Sequence, residues 1–197
     1  MADTRSEILI SGFGGQGVVL TGRILGYAAV LEGLRASMLI SHGTETRGGY
    51  VRSQVVIADG DIDSPVVENP DIFCALSQAS YTRFFHLAKT GVILYDPDFV
   101  KPDAGAAFPP LAIPARALAA EKLGAGIYAN IIMLGVILRK LDRIPLEKGI
   151  AAVEAIVPRN KAENRRALET GYDQTVFPRH VHRKSAVDRI SSQYSQR

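Results

Sequence analysis

The chain has 197 residues, 47% hydrophobic and 22% charged; this is the balance of an ordinary folded protein of about one domain, able to bury a core without a disulfide or metal staple. Its net charge is only +3, and its one cysteine, Cys74, excludes a disulfide framework, a CxxC redox pair, a cysteine-rich zinc site and an iron–sulfur cluster held by this chain alone. The longest apolar run, Ile127 to Leu138, has 12 residues and contains Asn130, against roughly 20 needed for a membrane span, so membrane insertion is not expected.

In chain order, MADTRSE carries Asp3, Arg5 and Glu7 and lacks the basic end and separate apolar core of a signal peptide, which predicts a cytoplasmic protein. Glu7 to Ser11 reads as a strand running into Gly12, Gly14, Gly15 and Gly17, and Val18 to Leu34 has apolar residues at helical spacing. Ala36 to Ile40 reads as a second strand, completing a right-handed βαβ unit. Ser41 to Gly49 is a polar, glycine-rich loop, and Tyr50 to Ala58 a strand with one more exposed face. The turn Asn69-Pro70-Asp71 precedes a strand at Ile72 to Leu76 and a helix at Ala79 to Ala88. Gly91 to Tyr95 is a strand stopped by Asp96-Pro97, and Phe108 to Pro114 a short edge strand. Helices follow at Ala115 to Leu123, Tyr128 to Leu141, Leu146 to Ile156 and Asn160 to Thr170. This alternation predicts an α/β protein, a Rossmann-like three-layer fold with a mainly parallel sheet.

Residues 1–170 form the predicted domain. From Gly171 to Arg197 the chain has few aliphatic residues, Pro178 and five Arg or Lys, with no sustained periodicity. Such a segment is either a disordered tail or an arm that orders on a neighbouring subunit; Phe177, Val181, Ile190 and Tyr194 supply anchors for the second, and residues 171–197 are expected to form a basic C-terminal assembly arm. After Val157 basic residues outnumber acidic ones nine to four, yet no nucleic-acid motif or aromatic platform accompanies them.

Gly12-Phe13-Gly14-Gly15-Gln16-Gly17 matches GxGxxG between a strand and a helix, where backbone amides at a helix N-terminus approach a phosphate. The same glycines also suit a plain tight turn. A dinucleotide site calls for an acidic residue at the end of the second strand, where this chain has Ser41 or His42. The second loop, Gly43-Thr44-Glu45-Thr46-Arg47-Gly48-Gly49, is expected at the same carboxyl edge of the sheet. Arg47 offers a planar fork for phosphate or carboxylate, Glu45 an acid to orient it, and Gly48 and Gly49 leave room for close backbone approach. Asn130, in the first turn of an apolar helix, either bonds the facing loops or touches a ligand. Catalytic candidates are poor. His42 has no evident nucleophile or acid beside it, His86 sits on a helix, His180 and His182 lack a further ligand, and Cys74 reads as a small buried hydrophobe.

With both loops in view the sequence resembles the gamma subunit of the 2-oxoacid:acceptor (ferredoxin) oxidoreductases, also found as a fused domain in pyruvate:ferredoxin oxidoreductases. Gly12 to Gly17, Ser41 to Gly49, Asn69-Pro70-Asp71, and Asn130 with Leu134-Gly135 carry the resemblance, which spans Ile8 to about Ile156. It implies a noncatalytic subunit of a hetero-oligomer that converts a 2-oxoacid and coenzyme A to acyl-CoA and carbon dioxide, with two electrons passed to an acceptor. Thiamine diphosphate, Mg and [4Fe-4S] clusters are implied in partner subunits. Contact with coenzyme A is implied for this chain, through Gly12, Gly14, Gly15, Gln16, Gly17, Glu45, Arg47, Gly48, Gly49 and Asn130. The other reading is a stand-alone Rossmann-type nucleotide-binding dehydrogenase domain using the first glycine loop.

Overall fold

The computed structural model describes residues 4–43, 49–103 and 109–174. Six strands form one sheet in the order β2-β3-β1-β4-β5-β6: β1 (Arg5–Phe13), β2 (Arg35–His42), β3 (Tyr50–Ala58), β4 (Ile72–Ala75), β5 (Val92–Tyr95) and β6 (Leu111–Ala112). Strands β1, β4, β5 and β6 pair in parallel, while β3 lies antiparallel to both β1 and β2. Every strand except β3 therefore runs the same way, and the mainly parallel sheet expected from sequence is present.

The period-2 geometry of a strand sorts its side chains into two cores. Ile8, Ile10, Val55, Ile57, Ile72, Cys74 and Leu94 face helices α1 (Val18–Leu31), α3 (Ala115–Leu123), α4 (Ala129–Leu141), α5 (Leu146–Ile156) and α6 (Lys161–Tyr172). The residues between them, Leu9, Val56, Phe73, Ala75 and Ile93, face α2 (Gln78–Phe84) and the 3-10 turn Phe85–Leu87. The result is three layers. Among the described residues no helix is long and apolar enough to cross a membrane.

Three expectations change. The unit β1-α1-β2 is not a pair of neighbouring strands, because β3 returns from β2 and inserts between them. For the same reason β3 is central rather than half exposed: Ser53 through Ala58 are all buried, and the polar residues that suggested a wet face, Ser53 and Gln54, lie inside. Gln54 Oε1 accepts the Val67 N–H at 3.0 Å, while among the described residues its Nε2 and the Ser53 Oγ have no partner. Helix α1 stops at Leu31, short of Leu34, because Gly33 takes φ +86° and its N–H reaches Val30 O while Leu34 N–H reaches Ala29 O. That is a Schellman termination, which glycine favours at the left-handed position.

Helix α6 runs to Tyr172, past the boundary read at residue 170. Gly171 lies against the α4 backbone at Ile132, and Gly135 of α4 against the backbone of Leu168 to Tyr172, so the two helices cross with their backbones in contact. Tyr172 closes the crossing, with the Arg139 guanidinium 5.4 Å above its ring. The segment beyond Gln174, including His180 and His182, lies outside the described residues.

This crossing sets two opposite outcomes for glycine-to-alanine changes. Gly171→Ala places a methyl group on the Ile132 carbonyl and should cost about 1 to 3 kcal/mol, lowering Tm by roughly 3 to 10 °C. Gly26→Ala, inside α1, meets nothing closer than Ala36 at 3.9 Å, and should raise Tm by about 2 to 4 °C through the gain of about 1 kcal/mol expected when alanine replaces glycine in a helix. Calorimetry on the two variants checks both signs.

Candidate functional site

The chain runs from β1 leftward to β2 and β3, then rightward to β4, β5 and β6. The strand order thus reverses between β1 and β4, and at such a reversal open α/β sheets leave a crevice at the carboxyl ends of their strands. Here one side chain spans it. Gln16 Oε1 accepts the Phe13 N–H at 2.6 Å, and its Nε2 donates to Leu76 O at 2.7 Å, tying the end of β1 to the end of β4. Below it the Leu76 N–H donates to Ser11 O at 2.8 Å. A methyl group on Gly12 would come within 2.9 Å of Leu76 Cβ, so the close approach there requires glycine.

The loop then turns up into α1 through Gly15 at φ +88° and Gly17 at φ +77°. Gly17 is the residue before the helix and offers no side chain to cap it. Asn130 packs directly over Gly17, where a methyl group would come 2.8 Å from its Cγ, and its Nδ2 donates to Thr21 Oγ1 at 3.5 Å. Thr21 Oγ1 in turn donates to Gly17 O at 3.0 Å. Asn130 is therefore a bonded residue that fixes α4 to the start of α1.

Above this junction, on the α1 side of the sheet, lies a cavity of about 650 Å³, within the size range of small-molecule sites. Gly15, Gln16, Gly17 and Asn130 border it, which brings four of the sequence candidates together. The N-terminal ends of α1, α4 and α6 border it as well, at Gly17, Ala129 and Asn160. None of these three ends has a side-chain cap hydrogen bond, and the partial positive charge of such ends favours an anion. Arg116 adds a full charge at the wall, its guanidinium 5.2 Å from the Phe99 ring. Phe99 and Ile127 supply an apolar rim, Ile127 being 73% exposed.

Asp96, also in the wall, does not cancel that positive character outright. It is 2% exposed and accepts two backbone N–H groups, from Asp98 at 3.0 Å and from Arg116 at 2.8 Å. Burial holds its pKa above the ordinary carboxylate value, and those two hydrogen bonds oppose the rise. Asp96 thereby caps the start of α3 and sets the backbone at Arg116. Beneath the sheet surface, burial pushes the Cys74 thiol up to about 12, so the lone cysteine stays a protonated hydrophobe.

The second glycine-rich loop leaves β2 at the carboxyl edge, as expected, but it is a hairpin connection: His42 pairs with Val51 and the Gly43 N–H donates to Tyr50 O at 2.8 Å. Gly49 is described; Glu45, Arg47 and Gly48 lie outside the described residues. Because β3 separates β2 from β1, Ser41 and His42 stand about 10 Å from β1, at two strand spacings. The adjacent β2 end that a dinucleotide site uses is missing, and the dehydrogenase reading loses its geometry. Gly14 borders open space. His86 is exposed beyond α2. Arg116, Phe99, Asn160 and Asn164 were not singled out from sequence. The usable signal was Asp96-Pro97, read only as a strand stop, although an acid at the end of a parallel strand marks the ligand edge. Among the described residues no three His, Cys, Asp or Glu side chains gather as a metal site.

The family model described as pyruvate ferredoxin/flavodoxin oxidoreductase matches residues 7–174. The chain is 40% identical over 177 residues to the 2-oxoglutarate synthase subunit KorC of Methanocaldococcus jannaschii, covering 86% of this chain and 93% of the relative. It is 37% identical over 180 residues to the protein of the same name from Methanothermobacter thermautotrophicus, covering 87% and 95%. The crystal structure of a keto/oxoacid ferredoxin oxidoreductase gamma subunit from Geobacter sulfurreducens superposes with a TM-score of 0.75 at 32% identity, covering 85% of this chain and 96% of that one.

The contact of Gly17 with Asn130 yields a coupling test. Gly17→Ala should destabilise the fold by about 2 kcal/mol or more, from the positive φ and from overlap with the Asn130 amide. Asn130→Ala removes the overlapping amide, so the double variant should fall short of the additive loss by at least about 0.5 kcal/mol in urea unfolding. Strict additivity would contradict the packing described.

Proposed function

The chain belongs to the pyruvate ferredoxin/flavodoxin oxidoreductase family as a gamma-type subunit of a 2-oxoacid:ferredoxin oxidoreductase, and on that premise we propose that its cavity receives the phosphate-bearing end of coenzyme A. The observation that carries this reading is the meeting of three helix N-termini that lack a side-chain cap with Arg116 around one space beside the glycine loop. Diphosphate and ribose phosphate are anions suited to such ends, and the apolar rim of Phe99 and Ile127 suits a purine ring or the uncharged arm that follows it. Backbone N–H groups and Arg116 bind and orient; no residue of this chain acts on the reacting bond.

In the whole complex a 2-oxoacid and coenzyme A give acyl-CoA and carbon dioxide, with two electrons leaving to the acceptor. Partner subunits hold the thiamine diphosphate with its Mg and the [4Fe-4S] clusters, since a single buried cysteine cannot ligate a cluster. The 2-oxoacid is 2-oxoglutarate on this reading, which rests on the names of the two relatives at 40% and 37% identity. Cytoplasmic location goes with it. Arg47, outside the described residues, is assigned a second phosphate contact from its loop, together with Glu45, Gly48 and Gly49. Residues 173–197 are assigned to assembly, since α6 keeps Gly171 and Tyr172 in the domain.

Steady-state kinetics of the assembled complex test the cavity. Arg116→Ala should raise the KM for coenzyme A roughly tenfold or more, the loss expected for a charge-assisted contact of about 1.5 to 3 kcal/mol. Thiamine diphosphate content should not change, and Arg116→Lys should recover part of the affinity. Arg47→Ala should move KM in the same direction. An unchanged coenzyme A dependence for Arg116→Ala in intact complex would reject the cavity as the site. The isolated chain should show no 2-oxoacid-dependent dye reduction, and activity should return on adding partner subunits.

A further inference from the structure

On the opposite face of the sheet from the cavity, two arginines share one aromatic wall. Arg52 of β3 places its guanidinium 5.5 Å from the centre of the Phe84 ring, and Arg83 of α2 places its own 5.9 Å from that ring and 4.7 Å from Tyr50. Tyr50 meets Phe84 edge to face at 5.0 Å, and Phe84 is braced from below by Phe73 at 6.5 Å. Both guanidiniums thus lie within 6 Å of the Phe84 ring, at the carboxyl edge of β3's neighbours, since Arg52 lies opposite Ser11 and Tyr50 opposite Phe13 in the β1–β3 register.

Among the described residues the two charges are not compensated. Arg5, Arg35, Arg143, Lys148 and Arg165 each have a carboxylate within ion-pairing distance, whereas among the described residues neither Arg52 nor Arg83 has one. The Arg52 Nε is buried and donates to no acceptor among the described residues. Leaving a buried donor of a charged group unmade is costly in a finished structure. Packing two like charges against one ring adds repulsion that an anion between them would relieve.

We infer that this aromatic-walled arginine pair is a docking surface for an acidic segment of a partner subunit, with a carboxylate seated in the guanidinium forks. Charge complementarity gives the sign of the partner, and Arg forks match a planar carboxylate. Phe13 argues for a protein over a small free anion. It stands opposite Tyr50, is 39% exposed, and extends the patch as apolar surface, which a free anion would leave wet and a protein segment would cover. Arginine and aromatic residues together are also the composition of strongly contributing interface positions. The surface is separate from the coenzyme A cavity, being on the other side of the sheet, so it does not rest on that proposal.

The experiment uses complex copurified from coexpressed subunits, with Arg83→Glu and Arg83→Lys in this chain. Arg83 is exposed, so charge reversal should leave the fold intact. Native mass spectrometry and sedimentation should show this chain leaving the Arg83→Glu complex at concentrations about tenfold or more above those needed for the wild type. Arg83→Lys should stay within about threefold, and raised salt should narrow the gap by screening. The KM for coenzyme A of the complex that does form should match the wild type. Unchanged assembly of Arg83→Glu at every salt concentration would overturn the docking role. Unchanged assembly with a raised coenzyme A KM, or with lost binding of inorganic phosphate, would also overturn it and assign the pair to a small anion.

Discussion

The Gln16 clasp across the end of the sheet is the constraint from which the site follows. Parallel strands β1 and β4 part at the point where the chain reverses its order, and two short hydrogen bonds from one amide join them again. A carboxamide suits this task because it presents an acceptor and a donor side by side, matching the N–H of Phe13 and the carbonyl of Leu76. The Gln16 carboxamide takes up the space directly between the ends of β1 and β4. The open space moves instead onto the α1 side, where Gly17, with its positive φ and its contact with Asn130, lets α4 come close to the start of α1.

Under the proposed function, that displacement lets one α/β architecture serve as a binding subunit rather than a redox centre. Helix ends gather around the cavity because α4 and α6 cross with their backbones touching at Gly135 and Gly171, which brings Asn160 and Ala129 to the same rim. The sheet's second face is thinner, covered by α2 and the 3-10 turn, and there the arginine pair reaches the surface. Two faces with different chemistry, one concave beside helix ends and one bearing arginines and aromatics, suit the two proposed roles of holding a cosubstrate and a neighbour.

Much of the fold was legible because apolar runs and glycine or proline stops act locally. Leu146 to Ile156, ahead of Pro158, was delimited correctly, and Asp96-Pro97 marked the end of β5. What failed was tertiary. Nothing local tells Tyr50 to Ala58 that it will insert between β1 and β2, and its Ser53 and Gln54 imitate a wet face while being buried by neighbours on both sides. Gln16 was rightly placed at the edge, but its side chain is used on Phe13 and Leu76, distant in sequence from one another. Arg116 carried no signal, since its place in the cavity wall arises only when the starts of α1, α4 and α6 converge beside it.

The most direct measurement is amide hydrogen exchange on the assembled complex with and without saturating coenzyme A. If the cosubstrate sits among the helix ends, peptides covering Gly15 to Leu20, Ala115 to Ala120 and Gly126 to Met133 gain protection, while the strand peptide Arg35 to His42 is unchanged. Equal exchange of those three peptides in both conditions, in a complex that turns over normally, would contradict the displaced site and return the search to the partner subunits.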